Sequence, residues 1–199
     1  MEEKHSQFKN SAVIWVGGVF LVIGFFIGVV FGVYKSDLSP TGQSKGGNAT
    51  KTPELKTSIA KLKNIVQQNP DDLESWIDLG NACFDADQYE ESIHAYKKAL
   101  AINPGNANVW TDMGVMYRLS DQPREAIKAF EKAAEIDPLH EISRINKGIV
   151  LLHDLKDSQG AIRAWESVLE INPLATLSSG QSVDEMLNAL KKQGQSLGS

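Results

Sequence analysis

Four histidines, His5, His94, His140 and His153, and one cysteine, Cys83, are the side chains of this 199-residue chain best suited to hold a metal or to act as base or nucleophile. None of the histidines belongs to an H-E-x-x-H array, no C-x-x-C occurs, and His140-Glu141-Ile142-Ser143-Arg144 lacks the second ligand that such a spacing needs. Zinc would require ligands gathered from distant surfaces, so the histidines read as solvated or satisfied by neighbours. Cys83 has no partner for an internal disulfide and falls among apolar residues at helical spacing, the setting of a buried structural thiol. The acidic pairs Asp71-Asp72 and Glu90-Glu91 stand at expected helix starts, where capping and the helix dipole account for them. There is no P-loop, no G-x-S-x-G and no C-x-x-C-H, and Gly17-Gly18 lies inside an apolar run. No catalytic residue, no metal and no cofactor is nominated, and binding is expected in place of an enzyme activity.

The elements that could position a binding surface are legible in the patterning. The net charge of -5, with no basic stripe able to neutralise phosphates, points away from nucleic acid. The length accommodates one folded domain with appendages. Between Pro70 and Pro173 three segments repeat. Trp76, Leu79, Gly80, Cys83, Ser92, Tyr96, Ala99 and Pro104 are answered by Trp110, Met113, Gly114, Tyr117, Ala126, Phe130, Ala133 and Pro138. A third set follows with Arg144, Lys147, Gly148, Leu151, Ala161, Trp165, Val168 and Pro173, with one extra residue between its halves. Each unit splits into two stretches with apolar residues at helical spacing, such as Trp76, Leu79, Cys83 and then Ile93, Tyr96, Leu100. One helix pair cannot bury both faces, so neighbours must stack. Gly80, Gly114 and Gly148 fall within helices, where glycine costs about 1 kcal/mol against alanine. Recurrence at one place in every unit implies a close helix approach that a Cβ would obstruct.

That spacing of Trp, Leu-Gly, Tyr, Ala, Phe, Ala and Pro resembles the tetratricopeptide repeat family. The resemblance covers about half the chain and implies an all-α fold, an α-α superhelix of stacked helix pairs. Units are expected at 70–104, 105–138 and 139–173. A half repeat at 52–69, opened by Thr52-Pro53, and a helix at 182–193 are expected to cap the two ends. Capping boxes are expected at Asp71 with Glu74, Asp87 with Glu90, and Ser182 with Glu185. Trp76, Gly80, Tyr96, Trp110, Gly114, Tyr117, Phe130, Gly148 and Trp165 are expected in the structural core of the repeats. In the family, residues of the first helix of each unit face a concave groove. Carried onto this chain, these include Ile77, Asn81 and Phe84, then Thr111, Val115 and Arg118, then Ile145 and Ile149. Members that hold an acidic chaperone tail use a Lys-Asn pair, of which only Asn81 is present here, with Ile77 in place of the lysine. The resemblance therefore implies a protein or peptide partner presenting an amphipathic helix or apolar segment.

Residues 12–34 read AVIWVGGVFLVIGFFIGVVFGVY, without a charge. At about 1.5 Å per residue a helix of that length crosses a hydrocarbon core of about 30 Å. No small-x-small cleavage site follows, so an uncleaved signal-anchor is expected after a short tail, 1–11, and before a flexible linker, 35–51. Gly24, Gly28 and Gly32 make overlapping G-x-x-x-G steps suited to a transmembrane helix partner. The expected placement is an inner membrane, with the C-terminal domain in the periplasm or, as the competing arrangement, on the cytosolic face. The plan looks like that of anchored bacterial repeat proteins of cytochrome c biogenesis, which implies a membrane-tethered adaptor in cytochrome c maturation or envelope complex assembly. The alternatives are a structural subunit held through its membrane helix, and an enzyme.

Overall fold

The structure, a computed structural model, describes residues 53–196, and side chains through residue 193. The expected tail, membrane helix with Gly24, Gly28 and Gly32, linker and Thr52 cap lie outside the described residues. Among the described residues no helix is long and apolar enough to cross a membrane.

The described residues 53–177 and 181–196 belong to one compact unit. Its helices are α1 (Pro53–Gln68), α2 (Leu73–Asp85), α3 (Tyr89–Ile102), α4 (Ala107–Leu119), α5 (Pro123–Ile136), α6 (Glu141–His153), α7 (Ser158–Ile171) and α8 (Val183–Ser196). Successive helices pack on one another, α1 on α2 and α8 on α7 at the two ends, so the all-α stack of helix pairs has the expected order. Because each helix is amphipathic and only three or four turns long, it gains stability by burying its stripe against both neighbours rather than from propensity.

Within each pair the same contact recurs. An added Cβ at Gly80, Gly114 or Gly148 would come within 3.0 Å of the rings of Tyr96, Phe130 and Trp165 respectively. All three rings are buried, at 1%, 1% and 0% exposure. Each ring occupies the space that a Cβ on the glycine of the partner helix would need. Two of them also find polar partners: Tyr96 donates its hydroxyl to Asn81 Oδ1 at 2.7 Å, and Trp165 donates Nε1–H to the Ile145 carbonyl at 3.2 Å.

A second recurring bond ties each unit to the turn before it. Trp76 Nε1–H donates to the Pro70 carbonyl at 2.8 Å, and Trp110 Nε1–H to the Pro104 carbonyl at 2.9 Å. In the third unit Arg144 donates Nη2–H to the Pro138 carbonyl at 2.7 Å, so the arginine supplies the donor that the indole supplies elsewhere. Trp110 and Tyr117, expected in the core, pack on it but remain half-buried. Lys97 Nζ stands 5.5 Å from the centre of the Tyr117 ring.

The helix ends correct the expected capping boxes. The N-cap of α2 is Asp72, not Asp71: its carboxylate accepts from Ser75 N–H at 3.3 Å and Ser75 Oγ–H at 2.7 Å. Asp87 does not begin α3. Its φ of 56° places it in the left-handed turn that ends α2, with its N–H on the Phe84 carbonyl and that of Gln88 on Cys83. Gln88 precedes α3 without a side-chain cap bond. Asp121, φ 58°, does the same after α4. In the third unit the left-handed residue is Lys156, φ 59°, and the inserted residue is absorbed by a wider turn in which Leu155 N–H reaches back to Val150. The segment between α7 and α8 is folded back by an isolated antiparallel bridge, Thr176 with Ser182.

The N-cap of α6 is His140. Its Nδ1 accepts from Ser143 N–H at 3.3 Å, and its Nε2 stands 3.0 Å from Asn108 Oδ1, so the ring is neutral with the proton on Nε2. Burial lowers the His140 pKa, opposed by the nearby charge of Asp137. A histidine whose folded pKa is depressed contributes stability that is present above the unfolded value of 6.5 and is lost as pH falls below it.

Two predictions follow from these contacts. Replacing Gly114 with Leu lowers unfolding stability by about 1–3 kcal/mol through overpacking against Phe130, and adding Phe130→Ala recovers part of the loss from steric conflict, read from denaturant midpoints of the single and double variants. Replacing His140 with Asn, itself a good cap, removes this residue's share of the pH dependence, so the stability of the variant relative to the parent rises as pH falls below 6.5, read from denaturant unfolding of both chains. Parallel pH profiles would show that the cap is not titrating.

Candidate functional site

The first helices of the three pairs are α2, α4 and α6; α4 touches α6 directly, and α2 and α4 both pack on α3. On α2, residues 77, 81 and 84 share a face by helical spacing, as do 112 and 115 on α4. Ile77, Phe84 and Val115 are half-buried, each with one side on the large core cluster that runs from α1 to α5. Ile145 and Ile149 are half-buried against the cluster of Trp165, Val168 and Val183, on which Met186 and Leu190 of α8 also pack. The C-terminal helix therefore shares the core beneath this end of the row.

Three further expected groove residues are committed to different degrees. Asn81 is half-buried, with its carbonyl oxygen occupied by Tyr96. Arg118 donates Nε–H to Asp154 Oδ2 at 2.6 Å, an ion pair joining α4 to the end of α6. Thr111 is a correction: it is 4% exposed and donates its hydroxyl to the Ala107 carbonyl at 2.9 Å, so it offers nothing to a ligand. A β-branched residue at this point packs inward because α4 is covered by neighbours on both sides.

Sequence reasoning missed Asp112. It lies between the buried Thr111 and Met113 and is itself half-buried, yet among the described residues no hydrogen bond or ion pair reaches its carboxylate. Burial pushes its pKa up to about 6 from 3.8. Its charge, together with that of Asp85, reinforces the effect of burial in raising the Tyr96 pKa, which places both carboxylates close to the Tyr96–Asn81 pair. The equivalent residue one unit earlier, Asp78, is exposed, so the repeat alone gave no sign of this burial. The available signal was local: an acid set between two residues of the apolar stripe.

Elsewhere, a cavity of about 570 Å³ opens between α5, α6 and α7, lined by Phe130, Leu151 and a mixture of acids and bases. Its Lys147 is already paired with Glu131 at 2.6 Å. Among the described residues no group of His, Cys, Asp and Glu could hold a metal ion. Cys83 is fully buried, and burial raises its thiol pKa, away from the thiolate form.

Asp112 yields a prediction with a definite sign. Below pH 3.8 its carboxyl is neutral in both folded and unfolded chains; between 3.8 and about 6 only the folded chain keeps the proton, so stability falls as pH rises through that window. Asp112→Asn therefore raises stability at pH 8 by no more than about 3 kcal/mol and leaves it nearly unchanged at pH 3.5, measured by denaturant unfolding at both pH values.

A family profile described as TPR repeat matches residues 80–120, and one described as tetratricopeptide repeat matches 107–140. No curated protein matches the chain by sequence. Among solved structures, MamA is similar with a TM-score of 0.57 and 20% identity, over 67% of this chain and 77% of MamA. The Arabidopsis OM64 TPR domain is similar with a TM-score of 0.52 and 18% identity, over 59% of this chain and 94% of that domain. The first TPR of Spaghetti (RPAP3), bound to the HSP90 peptide SRMEEVD, is similar with a TM-score of 0.52 and 22% identity, over 64% of this chain and 94% of that one. At these identities the likeness is one of fold, and with the profile matches and the recurring glycine-to-ring contacts it establishes that this chain carries tetratricopeptide repeats.

Proposed function

We propose that this chain is a protein-interaction adaptor that receives an amphipathic helix or apolar segment of a partner along α2, α4 and α6. The observation that carries this reading is the set of half-buried apolar side chains, Ile77, Phe84, Val115 and Ile145, on the first helices of the successive units. An isolated apolar residue at the surface needs no explanation, but a contiguous set on successive elements suits recognition of another apolar surface. The peptide held by Spaghetti, SRMEEVD, is rich in acids. Ile77 and Asn81 lack the lysine that such a tail requires, so an acidic tail is a poor fit here.

The apolar run at 12–34 supports a membrane tether, and the shortness of the tail before it, which carries Lys4 and Lys9, supports a domain facing away from the cytoplasm. The tethered arrangement suits an adaptor in cytochrome c maturation or in envelope complex assembly. Binding, and not catalysis, is the role proposed. A structural subunit held mainly by its membrane helix is the second reading, favoured by the Gly24, Gly28 and Gly32 steps.

The test places a photoreactive residue at Val115 and, as a control, at Glu135 of α5 in the full-length chain in its native membranes. Crosslinks formed from Val115 and not from Glu135 identify a groove partner, and Phe84→Ala then weakens its binding by about 2 kcal/mol with helicity preserved. Equal crosslinking from both positions refutes the groove. Replacing the 12–34 segment with an unrelated apolar helix separates the two readings, since only the structural subunit loses its function. Protease added from outside, after the outer barrier is opened, digests the chain beyond Lys35; protection until the inner membrane is lysed would place the domain in the cytosol.

A further inference from the structure

The charges along the inner row are one-sided. Helix α2 carries Glu74, Asp78 and Asp85 and no Lys or Arg. Helix α4 carries Asp112 and Arg118, and Arg118 is bonded to Asp154. The two cations on the body of α6 are likewise engaged within the protein, Arg144 by the Pro138 carbonyl and Lys147 by Glu131. Arg118 and Lys147 are thus paired with acids of this chain, Arg144 is held through Nη2 by a backbone carbonyl, and none of the three pairs with Asp112.

The position of Asp112 adds a place to that sign. It shares a face of α4 with Val115, while Asn81 shares a face of α2 with Ile77 and Phe84. The Tyr96 hydroxyl, bonded to Asn81 of α2, lies within the field of Asp112 of α4, so the carboxylate stands near the Asn81 side of α2. Half burial desolvates the Asp112 carboxylate and no group among the described residues bonds it, so within the protein its charged form is held by solvent alone. An incoming ammonium or guanidinium would supply the missing partner through a charge-assisted hydrogen bond in a partly dry setting, with apolar contacts on either side.

We propose that the inner face is built for an apolar segment carrying a basic side chain, lysine or arginine, which Asp112 receives between Phe84 and Val115. This rests on the adaptor reading and specifies its ligand: the same groove, with a ligand of charge opposite to the acidic peptide of its structural neighbour.

The test uses a displayed library of short random peptides selected on the purified full-length chain, on Asp112→Asn and on Phe84→Ala, each checked by circular dichroism. Peptides selected on the parent chain are expected to combine apolar residues with an enriched Lys or Arg. The enrichment in bases disappears on Asp112→Asn, although that variant is no less stable than the parent. Replacing the basic residue of a selected peptide with norleucine weakens its binding to the parent about tenfold and leaves its binding to Asp112→Asn unchanged. Selected peptides that depend on Phe84 but show no basic preference, or whose basic preference survives in Asp112→Asn, overturn this assignment while leaving the adaptor reading in place. If no peptide is enriched, or if those enriched bind Phe84→Ala equally well, the adaptor reading fails as well. Should Phe84→Ala lose helicity, Val115→Ser replaces it as the groove variant.

Discussion

The closest constraint in this fold is the contact between a helical glycine and a large ring on the paired helix. Without a Cβ at Gly80, Gly114 and Gly148, the rings of Tyr96, Phe130 and Trp165 settle against backbone and bring each pair into register. The glycines give up helix propensity, about 1 kcal/mol each, and the buried rings offset that loss with far more apolar area. The three rings differ in size and polarity while the geometry persists. The constraint is therefore steric, a ring against a bare backbone, and the Tyr96 hydroxyl and the Trp165 indole N–H take the partners that lie nearby.

Stacking of the pairs depends on a weaker and more tolerant device. A donor on the first helix of each unit reaches the proline carbonyl six residues back, and it works equally through an indole N–H or a guanidinium. Arg144 thus fills a chemical role without matching the shape of a tryptophan, which leaves the third unit with a more polar edge than the others. The third unit also accommodates its inserted residue in a widened turn after α6, displacing the left-handed residue to Lys156 and leaving the glycine-to-ring contact intact. Variation is absorbed where the backbone is open to solvent, because a turn can lengthen at little cost while a packed ring cannot move.

The inner face follows from the same scaffold. Helices that pack on neighbours at both sides have a narrow strip left for other contacts, and on α2 and α4 that strip holds Ile77, Phe84 and Val115 beside an acid that the protein leaves unpaired. Stability and recognition pull in opposite directions at Asp112, since its neutral amide would suit the folded domain better than the carboxylate does. Such a conflict is expected at functional positions.

The sequence by itself determined the repeat period, the order of the helices, the close approach of paired helices at each glycine and the burial of Cys83, because all of these follow from periodicity within about forty residues. Only the tertiary structure decided what happens where separate units meet. Thr111 and Asp112 are adjacent on one helix, yet one is sealed and spends its hydroxyl on its own backbone while the other stays half-buried without a partner. Asp87 has the spacing of an N-cap and instead turns left-handed to end the preceding helix, since closing α2 requires that conformation and an aspartate tolerates it. Trp110 and Tyr117 carry the signature of core residues but keep part of their surface exposed, because burial depends on how closely the next pair stacks. Each outcome is set by atoms contributed from other helices, whose distances the linear pattern does not encode.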